Sequence, residues 1–88
     1  MKLALKHPLA VGKTTIEELT FRDYATAEDL LAFDERGANQ QTIKLIANLT
    51  GSDEAIIRRL HVADYRAADK IASDLIKSEA DEKNASES

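Results

Sequence analysis

Cysteine is absent from the chain. That excludes a disulfide framework and any thiolate metal site, and it fits a reducing compartment. Long apolar runs are missing as well. No stretch approaches the ~20 residues needed to span a membrane. The opening Met1-Lys2-Leu3-Ala4-Leu5-Lys6 lacks the continuous apolar core of a signal peptide. The expected location is the cytoplasm, without a membrane partner. Positive charge is in deficit, with 12 Lys and Arg against 16 Asp and Glu, for a net charge of −4. The electrostatic attraction that dominates nucleic-acid affinity therefore works against binding. Aromatic residues are few: Phe21, Tyr24, Phe33 and Tyr65 are too scattered for a base-stacking platform.

What remains is enough for one small folded domain. The chain has 88 residues, 43% of them hydrophobic, so wholesale disorder is not indicated. A chain this short buries only about 60–65% of the surface its unfolded form exposes, which leaves apolar area available to a partner.

The organising stretch is Thr42 to Leu60, TIKLIANLTGSDEAIIRRL. Ile43, Leu45, Ile46, Ala47 and Leu49 cover more than half of a helix circumference, so neighbours are expected on two sides. Asn39 is the expected N-cap. Gly51 suits the left-handed C′ position, and Ser52 or Asp53 caps the next helix, with Glu54 near its positive end. Ile56, Ile57 and Leu60 form an inner stripe, with Arg58 and Arg59 outside. The spacing of Ala47, Gly51 and Ile57 also fits a helix-turn-helix over residues 42–60, whose second helix would read DNA. Against that reading, the candidate recognition helix opens on Ser52-Asp53-Glu54. An αα-corner without a DNA role fits the same residues.

Taken in order, residues 2–6 alternate with Leu3 and Leu5 on one face, which is a half-buried strand. Pro8 cannot donate to a ladder and marks an edge or strand end. Gly12-Lys13 is the turn, and Ile16, Leu19 and Phe21 line a second strand. The odd step from 16 to 19 predicts a bulge near Glu17-Glu18. A lone hairpin is marginal in water, so it must lie on helices. Thr26 with Asp29 has capping-box spacing. The helix it starts is expected to reach about Arg36, with Ala27, Leu30, Leu31 and Phe33 facing inward, and to end at Gly37. A last helix opens at Asp64, with Tyr65, Ala68, Ile71, Ala72, Leu75 and Ile76 as its apolar stripe. From Ser78 to Ser88 there are four carboxylates, one lysine and no large apolar residue. The expected class is α+β: a short N-terminal β-hairpin packed on about four α-helices, forming a single domain over 1–77, with a flexible, disordered acidic tail over 78–88.

No motif carries chemistry. Gly12-Lys13-Thr14 lacks the upstream glycine of a phosphate loop, because His7 stands at that position, and a strand follows it where the motif needs a helix. His7 and His61 have no partner at ligand spacing within their own elements; His61 is expected at a helix break, satisfying free carbonyls. Asp34-Glu35 and Asp53-Glu54 are adjacent on helices and diverge by about 100°, so neither pair converges on a substrate. Asn48-Leu49-Thr50 and Asn84-Ala85-Ser86 match the glycosylation sequon in a chain that nothing marks as secreted. No nucleophile–base pair is visible, and no enzyme activity or cofactor is expected.

Several segments, in this order, resemble the tail assembly chaperones of long-tailed bacteriophages, in the Mu-like branch. They are Leu3-Ala4-Leu5-Lys6-His7-Pro8, Ile16-Glu17-Glu18-Leu19-Thr20-Phe21-Arg22, Ala27-Glu28-Asp29-Leu30, Leu45-Ile46-Ala47-Asn48-Leu49-Thr50-Gly51, and Leu60-His61-Val62-Ala63-Asp64-Tyr65 with the amphipathic stretch after it. The resemblance covers about residues 2–77 and leaves the polar end unexplained. It implies a protein made before the tail and absent from the finished virion. Such a protein binds the tape-measure protein, keeps that long helical chain soluble and helps tail-tube subunits assemble around it. It also implies that a longer form can arise by ribosomal frameshifting, this chain being the short one. The implied setting is a phage or prophage in its bacterial host. Small helical domains offer grooves to apolar helix stripes. On that footing Ile57, Tyr65, Ala68 and Leu75 are the expected contacts to the tape measure or to another copy in a homo-oligomer. The competing reading places all four in the core.

Overall fold

The computed structural model describes the backbone of residues 1–87 and the side chains of residues 1–78. Apart from Ser78, the acidic tail expected over 78–88 lies outside the residues described in full. Two strands, β1 (Lys2–Val11) and β2 (Thr14–Thr20), form an antiparallel hairpin. Four helices follow: α1 (Ala27–Leu30), α2 (Ala38–Thr50), α3 (Glu54–Arg58) and α4 (Val62–Glu87), with a 3₁₀ turn at Leu31–Asp34 after α1. The α+β architecture expected from the sequence is the one the chain adopts.

Gly12 makes the hairpin turn at φ 61°, as the first of two loop residues between the paired Val11 and Thr14. Only glycine takes that position without a Cβ penalty. The bulge belongs to the other strand from the one expected. The ladder runs Lys2–Thr20, Leu3–Leu19 and Ala4–Glu18, and resumes at Leu9–Ile16. Leu5-Lys6-His7-Pro8 on β1 therefore stand opposite Glu17 alone. The irregularity thus falls at the expected height of the ladder, beside Glu17-Glu18, but the extra residues are in β1 and not in β2, and Pro8 falls inside the bulge, where no ladder hydrogen bond is required of it.

Leu5, Leu19 and Phe21 carry the hairpin into a core shared with Ala32, Leu45, Ile46, Ala47, Leu49, Ile57, Leu60, Ala68 and Ala72. Beyond β2, the Phe21 N–H donates to the Met1 carbonyl at 2.6 Å and the Arg22 N–H to the Leu49 carbonyl at 3.0 Å. The first closes the hairpin's open end onto the N-terminus, and the second ties the hairpin exit to the end of α2.

Gly51 ends α2 at φ 68°, with its N–H on the Ala47 carbonyl. Asp53 caps α3, its carboxylate accepting the Ala55 N–H at 3.0 Å. The cap of α2 is Gly37 (φ 87°) rather than Asn39; α2 starts two residues earlier than expected because the left-handed turn at Gly37 redirects the chain straight into it. Helix α3 has five residues, about 7.5 Å of rise. The 42–60 stretch is an αα-corner whose second member is too short to lie along a DNA groove as a recognition helix.

Candidate partner-binding surface

The segment between hairpin and α2 departs most from its sequence pattern. The capping box forms: the Thr26 N–H donates to Asp29 Oδ2 at 2.7 Å. The α-helix nevertheless stops after Leu30, and the chain tightens into the 3₁₀ turn. Ala32 is the buried residue of that turn, while Leu30, Leu31 and Phe33 are 52%, 53% and 47% exposed. Their expected inward orientation is thereby corrected, as is that of the exposed Ala27. Four consecutive residues, Leu-Leu-Ala-Phe, cannot all face one side of so short a helix, and the smallest of them fits the space above α2. Gln41 holds the turn from below, its Nε2 donating to the carbonyls of Phe33 at 3.3 Å and Glu35 at 2.9 Å.

Asp29 and Arg22 brace the same segment. Asp29 is 1% exposed, and Arg22 Nη2 donates to its Oδ1 at 2.6 Å and to the Asn48 carbonyl at 3.1 Å. Burial pushes the Asp29 carboxyl up, but the hydrogen bonds from Arg22 and the Thr26 N–H outweigh that and hold it below the usual carboxylate range. The guanidinium, hydrogen-bonded to Asp29, is held above its ordinary value. It also lies 5.3 Å from the ring centre of the exposed Tyr24.

At the start of α4 a second buried carboxylate does related work. Asp64 accepts the backbone N–H of Lys6 at 2.9 Å and of His7 at 3.0 Å, the groups the bulge removes from the ladder. Burial raises its carboxyl, and these two bonds more than offset that, so it too titrates below the usual range. His61 caps α4 through Nδ1, which accepts the Ala63 N–H at 3.1 Å. The expectation that His61 satisfies free carbonyls is corrected: it stands at a helix start, where the free groups are donors. Its ring stacks on His7 at 3.8 Å between centroids.

Three open grooves flank α4. The largest, about 480 Å³, has Ile43, Ile57, Leu60 and Val62 along its apolar part and Arg58 and Arg66 among its walls. Tyr65 spans it, its hydroxyl donating to Asn39 Oδ1 at 3.1 Å. The second, about 320 Å³, lies between Phe33, Leu45 and Ile76. The third runs past Met1, Ile71 and Leu75. Among the four residues singled out as partner contacts, Ile57 and Ala68 are in the core at 1% and 0% exposure. Tyr65 and Leu75 are half-buried at groove walls. The fold does not gather the four onto one face. Sequence reasoning missed Leu30, Leu31 and Phe33 as surface residues; the run of large apolar residues beside a single alanine was the available signal.

Among the described residues, no group of three or more His, Asp or Glu is placed to hold a metal, and no helix is long and apolar enough to cross a membrane. The surface thus offers apolar grooves and exposed leucines. The family model described as "Phage tail assembly chaperone proteins, E, or 41 or 14" matches residues 2–77. The chain belongs to this family. No curated protein and no solved structure matches it. The matched span takes in the hairpin, α1 to α3, the 3₁₀ turn and α4 as far as Lys77, and with it the lining of the three grooves except Met1 in the third. A role in phage tail assembly, exercised on protein partners, follows from the family.

Proposed function

We propose that this chaperone binds the tape-measure protein in the bacterial cytoplasm, keeps its apolar helices soluble while tail-tube subunits assemble around it, and does not remain in the mature virion. The supporting observation is the exposure of Leu30, Leu31 and Phe33, the last of which lines the groove with Leu45 and Ile76. Three large apolar side chains left exposed on one short segment are the kind of surface that marks an interaction site on a small soluble domain. An amphipathic helix laid in the groove between α2 and α4 would cover Phe33 and pass the segment that carries Leu30 and Leu31. Tyr65 and Leu75 line the neighbouring grooves and make further contacts, with Ile57 and Ala68 packing behind them. Nothing in this role requires a substrate to be transformed.

Co-expression with the tape-measure protein from the same genome tests the proposal. The two proteins are expected to co-elute in a soluble complex that is absent from purified virions. A tape measure that pellets to the same extent with and without the chaperone would refute it.

A further inference from the structure

The nine residues Arg58 to Arg66, RRLHVADYR, carry three arginines and one carboxylate. That carboxylate, Asp64, is 2% exposed and engaged by the Lys6 and His7 N–H groups. Burying it leaves Arg58, Arg59 and Arg66 exposed without a nearby anion from their own stretch. The α3–α4 corner is therefore a basic surface on a chain of net charge −4. Arg59 is tied down, its Nη2 donating to the Ala10 carbonyl at 3.1 Å. Among the described residues, Arg58 has only long, exposed contacts, to Glu54 at 3.5 Å and to Gln40 Oε1 at 3.4 Å. Both are easily exchanged for a better partner. No hydrogen bond or ion pair engages the Arg66 side chain among the described residues. Arg58 and Arg66 are walls of the largest groove, whose apolar part is Ile43, Ile57, Leu60 and Val62. Asp69 also lines the groove; it accepts the Ser73 hydroxyl at 3.1 Å and keeps its charge, so the lining sets two guanidinium groups against one carboxylate.

We propose that this groove docks an acidic amphipathic helix of the partner, in which a large apolar side chain enters between Val62 and Ile43 and flanking carboxylates meet Arg58 and Arg66. The inference rests on the chaperone reading above and specifies the chemistry of the segment that is held. Charge and shape select this occupant. Planar guanidinium groups favour carboxylates, and the apolar floor requires a large aliphatic or aromatic side chain. The chain's own acidic stretch, Ser78 to Ser88, contains no such side chain, so a second copy's end would leave the floor wet. A nucleic acid would meet the two arginines but gain nothing from the floor, and the acidic remainder of the chain would repel it.

Overlapping fluorescent peptides covering the tape-measure protein, titrated against the full chain and its Arg58→Glu/Arg66→Glu variant, test the assignment. The tightest-binding peptides are expected to have an apolar anchor with acidic flanks. They should bind the variant about tenfold or more weakly, and binding should return when their acidic residues are replaced by lysine. Circular dichroism confirms that the variant is folded. Equal affinity for wild type and variant, tightest binding by basic peptides, or no bound peptide would each overturn the assignment. So would retention of a DNA duplex by wild type that is lost in the variant. Co-expression separates the two levels: if the variant solubilises the tape measure as well as wild type does, this groove is excluded and the chaperone reading stands. If wild type fails to solubilise it, the chaperone reading itself fails.

Discussion

Asp64, in the first turn of α4, accepts the backbone N–H of His7 at 3.0 Å across a sequence separation of 57 residues. Its other oxygen takes the N–H of Lys6 at 2.9 Å. One side chain thus converts a defect in β1 into the joint between the hairpin and the longest helix. The stacked rings of His7 and His61 lie at the same joint.

Asp64→Asn keeps the shape but removes the charge and presents an amide N–H₂ to one of two backbone donors. Hydrogen bonds to a charged group are worth about 1.5–3 kcal/mol each, and a buried donor left unpaired costs about 1–3 kcal/mol. A loss of about 2–3 kcal/mol in urea unfolding is expected. A change within the noise of a surface substitution would show that the bulge does not depend on this residue.

Acid should unfold the protein through the two buried carboxylates. Asp29 and Asp64 both have folded-state values below their unfolded ones. Each therefore adds stability at pH above the unfolded carboxylate value and loses it as pH falls through the depressed folded value. The urea midpoint should be flat near neutrality and drop below about pH 4. The Asp29→Asn/Asp64→Asn double variant should start lower and show a shallower acid limb. Parallel acid limbs would place the protonation elsewhere.

Replacing Leu30, Leu31 and Phe33 together by serine removes apolar surface that is already about half exposed in the folded state. Stability should fall by about 2–4 kcal/mol, roughly half of what full burial of three such side chains contributes. Recovery of soluble tape-measure complex should fall sharply. Phe21→Ala, at 2% exposure, is the contrasting case and should cost about 3–5 kcal/mol. A folded triple variant that recovers the tape-measure complex as well as wild type would contradict a surface role for the three residues.

Gly51→Ala isolates backbone conformation from packing. A Cβ there would meet nothing within 4 Å, and φ is 68°. The expected cost is about 1 kcal/mol, from the left-handed geometry alone. Thermal unfolding monitored by circular dichroism measures it, and an unchanged midpoint would mean that the C-terminus of α2 relaxes into another cap.

The features legible in the sequence are the short-range ones. The Gly12 turn, the Thr26–Asp29 box, the Gly51 terminus and the Asp53 cap each involve groups only a few residues apart, and side-chain size and hydrogen-bonding capacity specify them locally. The apolar stripes of α2 and α4 were legible for the same reason, since a helix repeats its faces every few residues.

The sequence by itself determined that this chain makes a hairpin and capped helices, and its ordered segments marked the chaperone family. Only the tertiary structure decided where the bulge falls, that Asp64 turns inward and leaves a basic corner, and that Ile57 and Ala68 are enclosed while Leu30, Leu31 and Phe33 are not. Periodicity states which residues share a face. Whether that face meets another element or water depends on contacts between residues as far apart as Lys6 and Asp64, which no local pattern encodes.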